Sequence, residues 1–170
     1  MNKPKITYPE LIAKYPELEK ESVYLVGIRG YYLNSKGSVG ANDIGIFDDA
    51  ILLVIDGVIY PFNGNTDPSK EGAGLAMLKC GKYTYYKGKH RGKYDALRPF
   101  PEGVKMPCTR DGKDSFAIAC NIHAGGEKST GSHGCQTLPK SQWSEFIGLV
   151  YSEMTKRKLS TIKYFLYENS

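Results

Sequence analysis

The stretch Ala50-Ile-Leu-Leu-Val-Ile-Asp-Gly-Val-Ile-Tyr-Pro-Phe62 decides the fold. Two runs of β-branched and apolar residues flank Asp56-Gly57, and an Asp-Gly pair supplies the two positive-φ positions of a tight hairpin turn. The stretch therefore reads as two antiparallel strands. Upstream, Ile44–Phe47 reads as a further strand of the same meander, and Val23–Leu33 as a strand bent at Gly27 or Gly30. The polar, glycine-rich Asn34–Asp43 between them reads as a loop. No glycine fingerprint for a dinucleotide accompanies these strands.

Downstream, Leu75–Tyr86 reads as a strand pair broken at Gly81. Thr109–Asp114 holds a second Asp-Gly turn that feeds an apolar strand from Phe116 to Ile122, and Thr161–Tyr167 is a last strand. Leu97–Pro107 is proline-rich and reads as a loop on the rim of a cleft. Trp143, Phe146, Ile147, Val150 and Met154 recur at spacings of three and four, so Lys140–Met154 is an amphipathic helix with Pro139 near its start. Pro9–Lys20, after a Thr7 N-cap, is a short helical arm split by Pro16. These elements describe a mostly β domain with a helix packed on it. A chain of 170 residues suits one domain, 1–170, with residues 1–21 as the arm.

The formal net charge of +5 comes from scattered lysines and no nucleic-acid-binding motif, so no nucleic-acid partner is expected. The charge suits either a basic soluble surface or attraction to an anionic bacterial envelope. No segment approaches the roughly 18 apolar residues that would span a bilayer, so no membrane insertion is expected. A monomer is expected. The four cysteines, at 80, 108, 120 and 135, are even in number and would allow two disulfides. Cys120 lies within an apolar run and reads as a buried small hydrophobe. All four are expected to be reduced.

The chemistry concentrates in Ile122-His-Ala-Gly-Gly-Glu-Lys-Ser-Thr-Gly-Ser-His-Gly-Cys-Gln-Thr-Leu-Pro139, which holds two of the three histidines. A strand would deliver His123 to its tip, and a glycine-bracketed loop would bring Cys135 back beside it. A cysteine is a nucleophile as the thiolate, and a neighbouring imidazole that takes the proton lowers the thiol pKa from about 8.5 to roughly 3.5–7.5. With no side chain at Gly134, the N–H groups of Gly134 and Cys135 are expected to form an oxyanion hole, each donor worth about 2.7–4 kcal/mol at the transition state. Nucleophile, base and oxyanion binder together define acyl transfer through a thioester.

Ser132-His133-Gly134-Cys135, preceded by His123 with the small Ala124 after it, resembles the signature of the L,D-transpeptidase catalytic domain, most closely a divergent phage-like or secreted-effector-like branch. The resemblance is specific from about Ile122 to Gln136; Leu78–Tyr83 is similar to that family's turn into its central strands. It departs in a shorter histidine-to-cysteine gap, in Gln136-Thr137 after the cysteine, and in lacking a Thr-Pro-x-Gly segment. The resemblance implies a β-sandwich with a packed C-terminal helix and no cofactor. It implies Cys135 as nucleophile, His123 as base, His133 and Gly134 with Cys135 in the oxyanion loop, Ser132 as loop support, and the Ala124 carbonyl as the group that orients the base. The substrate it implies is the stem peptide of bacterial peptidoglycan, cut or transferred at the L,D bond.

Other residues carry weaker signals. Arg29 interrupts an apolar run, either as a structural ion pair or as a bidentate binder of a stem-peptide carboxylate. Asn63–Ser69 is rich in oxygen ligands without the calcium-loop spacing, so it is turn chemistry or a polar cleft wall in which Asn65 or Asp67 accepts from an amine. Lys87–Lys93, with His90, is a solvated hairpin tip or a basic lid. Two rival readings exist: a zinc-dependent peptidoglycan peptidase, for which the usual ligand pairings are missing, and a non-catalytic module that only binds wall peptides. The N-terminus has no apolar signal core, so the expectation is a protein made in the cytoplasm that meets the wall through a lysis pore or a secretion machine, as an endolysin-like or antibacterial enzyme.

Overall fold

The computed structural model describes residues 1–32 and 42–169. Most of the loop expected over Asn34–Asp43, and Leu33 at the end of the first expected strand, lie outside the described residues. The chain begins with α1 (Tyr8–Lys14) and a 3-10 turn (Pro16–Lys20), which form the arm. Thr7 caps α1 as expected, accepting from the Glu10 amide while the Glu10 carboxylate accepts from the Thr7 amide.

Eight strands form one sheet: β1 (Val23–Arg29), β2 (Asp49–Ile55), β3 (Val58–Gly64), β5 (Gly81–His90), β6 (Tyr94–Pro99), β9 (Ile122–Ala124), β10 (Gln136–Leu138) and β11 (Ile162–Glu168). Their order is β10-β9-β6-β5-β11-β1-β2-β3. The two outer strands are tied where the amide of Asn65, just past β3, donates to the Thr137 carbonyl of β10 at 2.8 Å and the Thr137 amide donates back at 2.9 Å. The sheet is thus nearly closed. A second sheet of β4 (Met77–Leu78), β7 (Met106–Arg110) and β8 (Lys113–Ala117) lies beside it. The chain is mostly β, as expected.

The continuous apolar run of β2 has a physical cause. Ile51 and Leu53 face an inner core with Leu25, Phe62, Tyr164 and Leu166, whereas Ala50, Leu52 and Val54 face an outer core with Tyr24, Val26 and Phe165. α2 (Lys140–Lys156) fills the inner core with Trp143, Phe146, Val150 and Met154, and the arm covers the outer one with Leu11 and Leu18. A strand buried on both faces needs apolar residues at every position.

Both Asp-Gly turns are hairpins, with positive φ at Asp56 and Gly57 and at Asp111 and Gly112. Three expectations need correction. Ile44–Phe47 is a turn, not a strand. The proline-rich segment is a loop only between Pro99 and Met106, since β6 and β7 take its two ends. The run from Phe116 to Ile122 is not one strand: β8 ends at Ala117, Ala119 adopts a φ of 54°, and the chain changes sheets before β9. Apolar composition alone does not show where a run crosses from one sheet to another.

Candidate active site

β9 and β10 are parallel, with Gln136 opposite Ile122 and Thr137 opposite His123. The Gln136 amide donates to the Asn121 carbonyl at 2.9 Å, which carries the register one step back and sets Cys135 across from Asn121. Side chains alternate along a strand, so Asn121 and His123 share one face, on which His90 meets both. The sequence expects a strand and a returning loop to bring His123 and Cys135 together; the structure places them on neighbouring chain segments, His123 within β9 and Cys135 just before β10. His123 is the middle residue of β9 and is buried, rather than standing at a strand tip.

The Nδ1 of His123 lies 2.7 Å from the Ala124 carbonyl oxygen. A carbonyl only accepts, so Nδ1 carries the hydrogen, and the Nε2 lone pair is left to take a proton. Ala124 thus holds the orienting position expected of it. The Tyr94 hydroxyl joins this contact, 3.2 Å from Nδ1 and 3.4 Å from the same carbonyl. Trp143 of α2 meets the Tyr94 ring edge to face. The His90 ring lies flat against His123, centroids 3.8 Å apart and planes at 17°. Burial, the facing His90 and Arg91 push the His123 pKa down to about 4, against the pull of the Ala124 hydrogen bond.

Cys135 is a free, partly exposed thiol. Its Sγ–H points at the Ala119 carbonyl, 3.6 Å away. Burial pushes its pKa above the ordinary thiol value, with the Asn121 main-chain hydrogen bond and the Arg91 charge pulling the other way. Burial thus disfavours charge on both groups, which works against the preformed ion pair expected from the sequence. The other cysteines are free as well, and burial pushes nearby Cys120 up to about 12.

The loop before Cys135 is tied down by a residue the sequence did not single out. The Ser69 hydroxyl accepts from the Ser132 amide at 2.5 Å and from the Thr130 hydroxyl at 2.6 Å, and the Ser69 amide donates to the Ser132 carbonyl at 2.8 Å. Ser132 donates its hydroxyl hydrogen to the Cys135 carbonyl at 2.6 Å and accepts from the Gly134 amide at 2.9 Å. Ser132 is loop support, as expected. Gly134 is not an oxyanion donor, because its N–H is already used; its requirement is steric, with a φ of 141° and the Ala76 carbonyl 2.7 Å from where a Cβ would stand. Among the described residues the Cys135 N–H has no acceptor and is the donor left for an oxyanion.

The weaker candidates fall elsewhere. Arg29 is buried and donates to the Thr66 hydroxyl and to the Thr66 and Leu78 carbonyls; among the described residues it forms no ion pair, and its burial keeps it from a cleft. Asn65 and Asp67 are fully buried: Asn65 donates to the Asp67 carbonyl and Asp67 accepts from Asn42, which removes both from any cleft wall. His133 is exposed on the loop. The basic cluster is not a lid, because Lys87–His90 is the end of β5 and only Arg91–Lys93 turn.

Besides Ser69, sequence reading missed Asn121, Tyr94 and the structural part of Gln136, whose side chain accepts from Tyr164 inside the sheet at 2.7 Å and so anchors the residue after Cys135. The spacing of Asn121 and His123 at i and i+2 was the available signal for the first, once a strand there was assumed. A cleft of about 380 Å³, lined by Tyr94, Trp143, Ala124, Gly125, Gly126, Glu127 and Lys140, opens beside the base. Among the described residues no three His, Cys, Asp or Glu side chains gather closely enough to hold a metal ion. No helix among them is long and apolar enough to cross a membrane. No protein-family model matches the chain, and no curated protein and no solved structure matches it either.

Proposed function

We propose that this chain is a cysteine enzyme of the L,D-transpeptidase type, acting through a thioester on the L,D bond of peptidoglycan stem peptides. One observation carries the reading: Cys135 stands immediately before the strand that pairs in parallel with the strand of His123, and that histidine is turned by the Ala124 carbonyl so that its Nε2 lone pair is left to take a proton. The Ser132-His133-Gly134-Cys135 resemblance supplies the substrate class, and the nearly closed sheet with a packed helix is compatible with the sandwich it implies.

In this mechanism a bound carbonyl displaces the thiol from the Ala119 carbonyl. Sγ attacks the carbonyl carbon of the third, L-centred residue while Nε2 takes the thiol proton, so that charge forms only as the bond forms. The Cys135 amide donates to the developing oxyanion. The tetrahedral intermediate collapses, the terminal D-residue leaves as an amine with the proton from His123, and the thioester passes to an amine or to water. The protein would meet the wall as a phage lysis enzyme or a delivered antibacterial toxin.

A digest of purified muropeptides by the wild type and by Cys135→Ala, read by mass spectrometry, tests this. D-amino-acid exchange products mean transfer and shortened stems or split dimers mean hydrolysis, in either case only with the wild type. Identical digests from both proteins sink the reading.

A further inference from the structure

His90, in the run that the sequence leaves as a solvated hairpin tip or a basic lid, is half-buried and packed ring to ring on His123. Its Nδ1 lies 3.2 Å from the side-chain nitrogen of Asn121, the residue across from Cys135. An amide nitrogen only donates, so the His90 Nδ1 is an acceptor and its hydrogen sits on Nε2. Adding a proton at Nδ1 would set two donors against each other. Asn121 thereby fixes the ring and tautomer of His90, while its own main chain is fixed by the hydrogen bonds to Gln136 and to Ala119.

The side-chain oxygen of Asn121 has no partner among the described residues although it is buried. An asparagine that served packing alone would have both ends satisfied. Facing the two rings are Arg91 from the β5–β6 turn and Tyr94 and Arg98 from β6, and Cys135, ahead of β10, is a neighbour of Tyr94. The arginines oppose a second positive charge, and Tyr94 holds the Nδ1 side of His123.

We propose that His90 and Asn121 are positioning residues for the thiol–imidazole pair: His90 is a stacked plate against which the His123 imidazolium forms, and Asn121 locks that plate and the strand facing the cysteine. This rests on the functional reading above for its role in turnover, but not for its geometry. When His123 takes the thiol proton, the cation lies flat on a neutral aromatic face, a favourable arrangement that also excludes water from one side of the ring. His90 touches neither substrate nor the reacting atoms, so it acts only through His123.

The test uses the full chain with His90→Phe, His90→Ala and Asn121→Ala. Imidazole titration by NMR should show the His123 pKa rising in His90→Phe, which keeps the stacked plate but removes the second titrating ring. Alkylation of Cys135 by iodoacetamide at pH 7.5 should slow in His90→Ala by on the order of 100-fold, the cost of a misplaced reacting group, and be largely restored in His90→Phe. Asn121→Ala should raise the His90 pKa while leaving the fold intact by circular dichroism. An unshifted His123 titration in His90→Phe, or equal alkylation rates in all variants, overturns the proposal. Both readouts need no wall substrate: if they behave as expected and no muropeptide is changed, the functional reading falls and the positioning role stands.

Discussion

The amide of Gly134 donates to the Ser132 hydroxyl at 2.9 Å, and that hydroxyl donates onward to the Cys135 carbonyl. One side chain thus closes the turn that leads into Cys135, and it consumes an amide that the proposed mechanism would otherwise offer to an oxyanion. Ser132→Ala frees that amide but loosens the turn. We expect a loss of about 1–3 kcal/mol in stability and a fall in turnover on the order of 100-fold from the misplaced sulfur. Rates equal to or above wild type would show instead that the freed Gly134 amide serves the oxyanion and that the turn needs no hydroxyl.

Reactivity of Cys135 toward iodoacetamide should follow an undisturbed or raised thiol. Burial moves the thiol up and the imidazole down to about 4, so the thiolate fraction keeps growing with pH. Alkylation rates should climb throughout the neutral range and past it. A preformed ion pair would give a plateau by about pH 7.5, and a measured plateau there contradicts a neutral resting pair.

The same histidine links stability to pH. Its folded pKa of about 4 lies below the ordinary 6.5, so between those values the unfolded chain binds a proton that the folded chain does not. The contribution is fully present above pH 6.5 and is lost as pH falls through about 4. For this buried ring it amounts to roughly 3 kcal/mol. Denaturant unfolding of wild type against His123→Gln should show the wild type losing that much more between the two pH limits. Parallel curves for the two proteins contradict the shift.

Those properties were only partly legible in the sequence, and the division has a physical cause. Local chemistry was readable: Asp56-Gly57 fixes a turn by backbone preference, Thr7 and Glu10 make a capping box, and the stripe from Trp143 to Met154 has a helix period. So was the placing of Cys135 and His123 on neighbouring segments, since they lie close in the chain. What was not readable depends on pairing across long separations. The Asn65–Thr137 bridge that closes the sheet turned an oxygen-rich loop from a cleft wall into buried structure. Strands of two or three residues such as β4, β9 and β10 carry no period to detect. His90 lay in a run of lysines, and its place on His123 follows only from the β5–β6 and β6–β9 pairings.

Gly27 in β1 is needed for a reason that lies on the neighbouring strand. A Cβ there would stand 2.1 Å from the Tyr164 hydroxyl, which donates to the Gln136 side chain next to the nucleophile. Tyr164→Phe removes that donor and leaves a buried acceptor unpaired, at a cost of about 1–3 kcal/mol. Gly27→Ala should cost more, because the tyrosine must move and the rest of the ring has no free space. Melting temperatures in the order wild type, Tyr164→Phe, Gly27→Ala, from highest to lowest, are the expected outcome, and a stable Gly27→Ala protein contradicts it.

The arm separates stability from chemistry. Leu11 and Leu18 are fully buried in the outer core, on the face of β1 and β2 away from the inner core that α2 fills. Leu18→Ala leaves a cavity under the arm and should destabilise the protein by about 2–5 kcal/mol. The site residues lie on β5, β6, β9 and the loop before β10, and none of them contacts the arm in its hydrogen bonds or ring contacts. The variant should therefore keep the wild-type alkylation rate of Cys135 below its lowered melting transition, measured at the same pH. A slowed rate in the still-folded variant would mean that the arm sets the geometry of the thiol through β1 and β11.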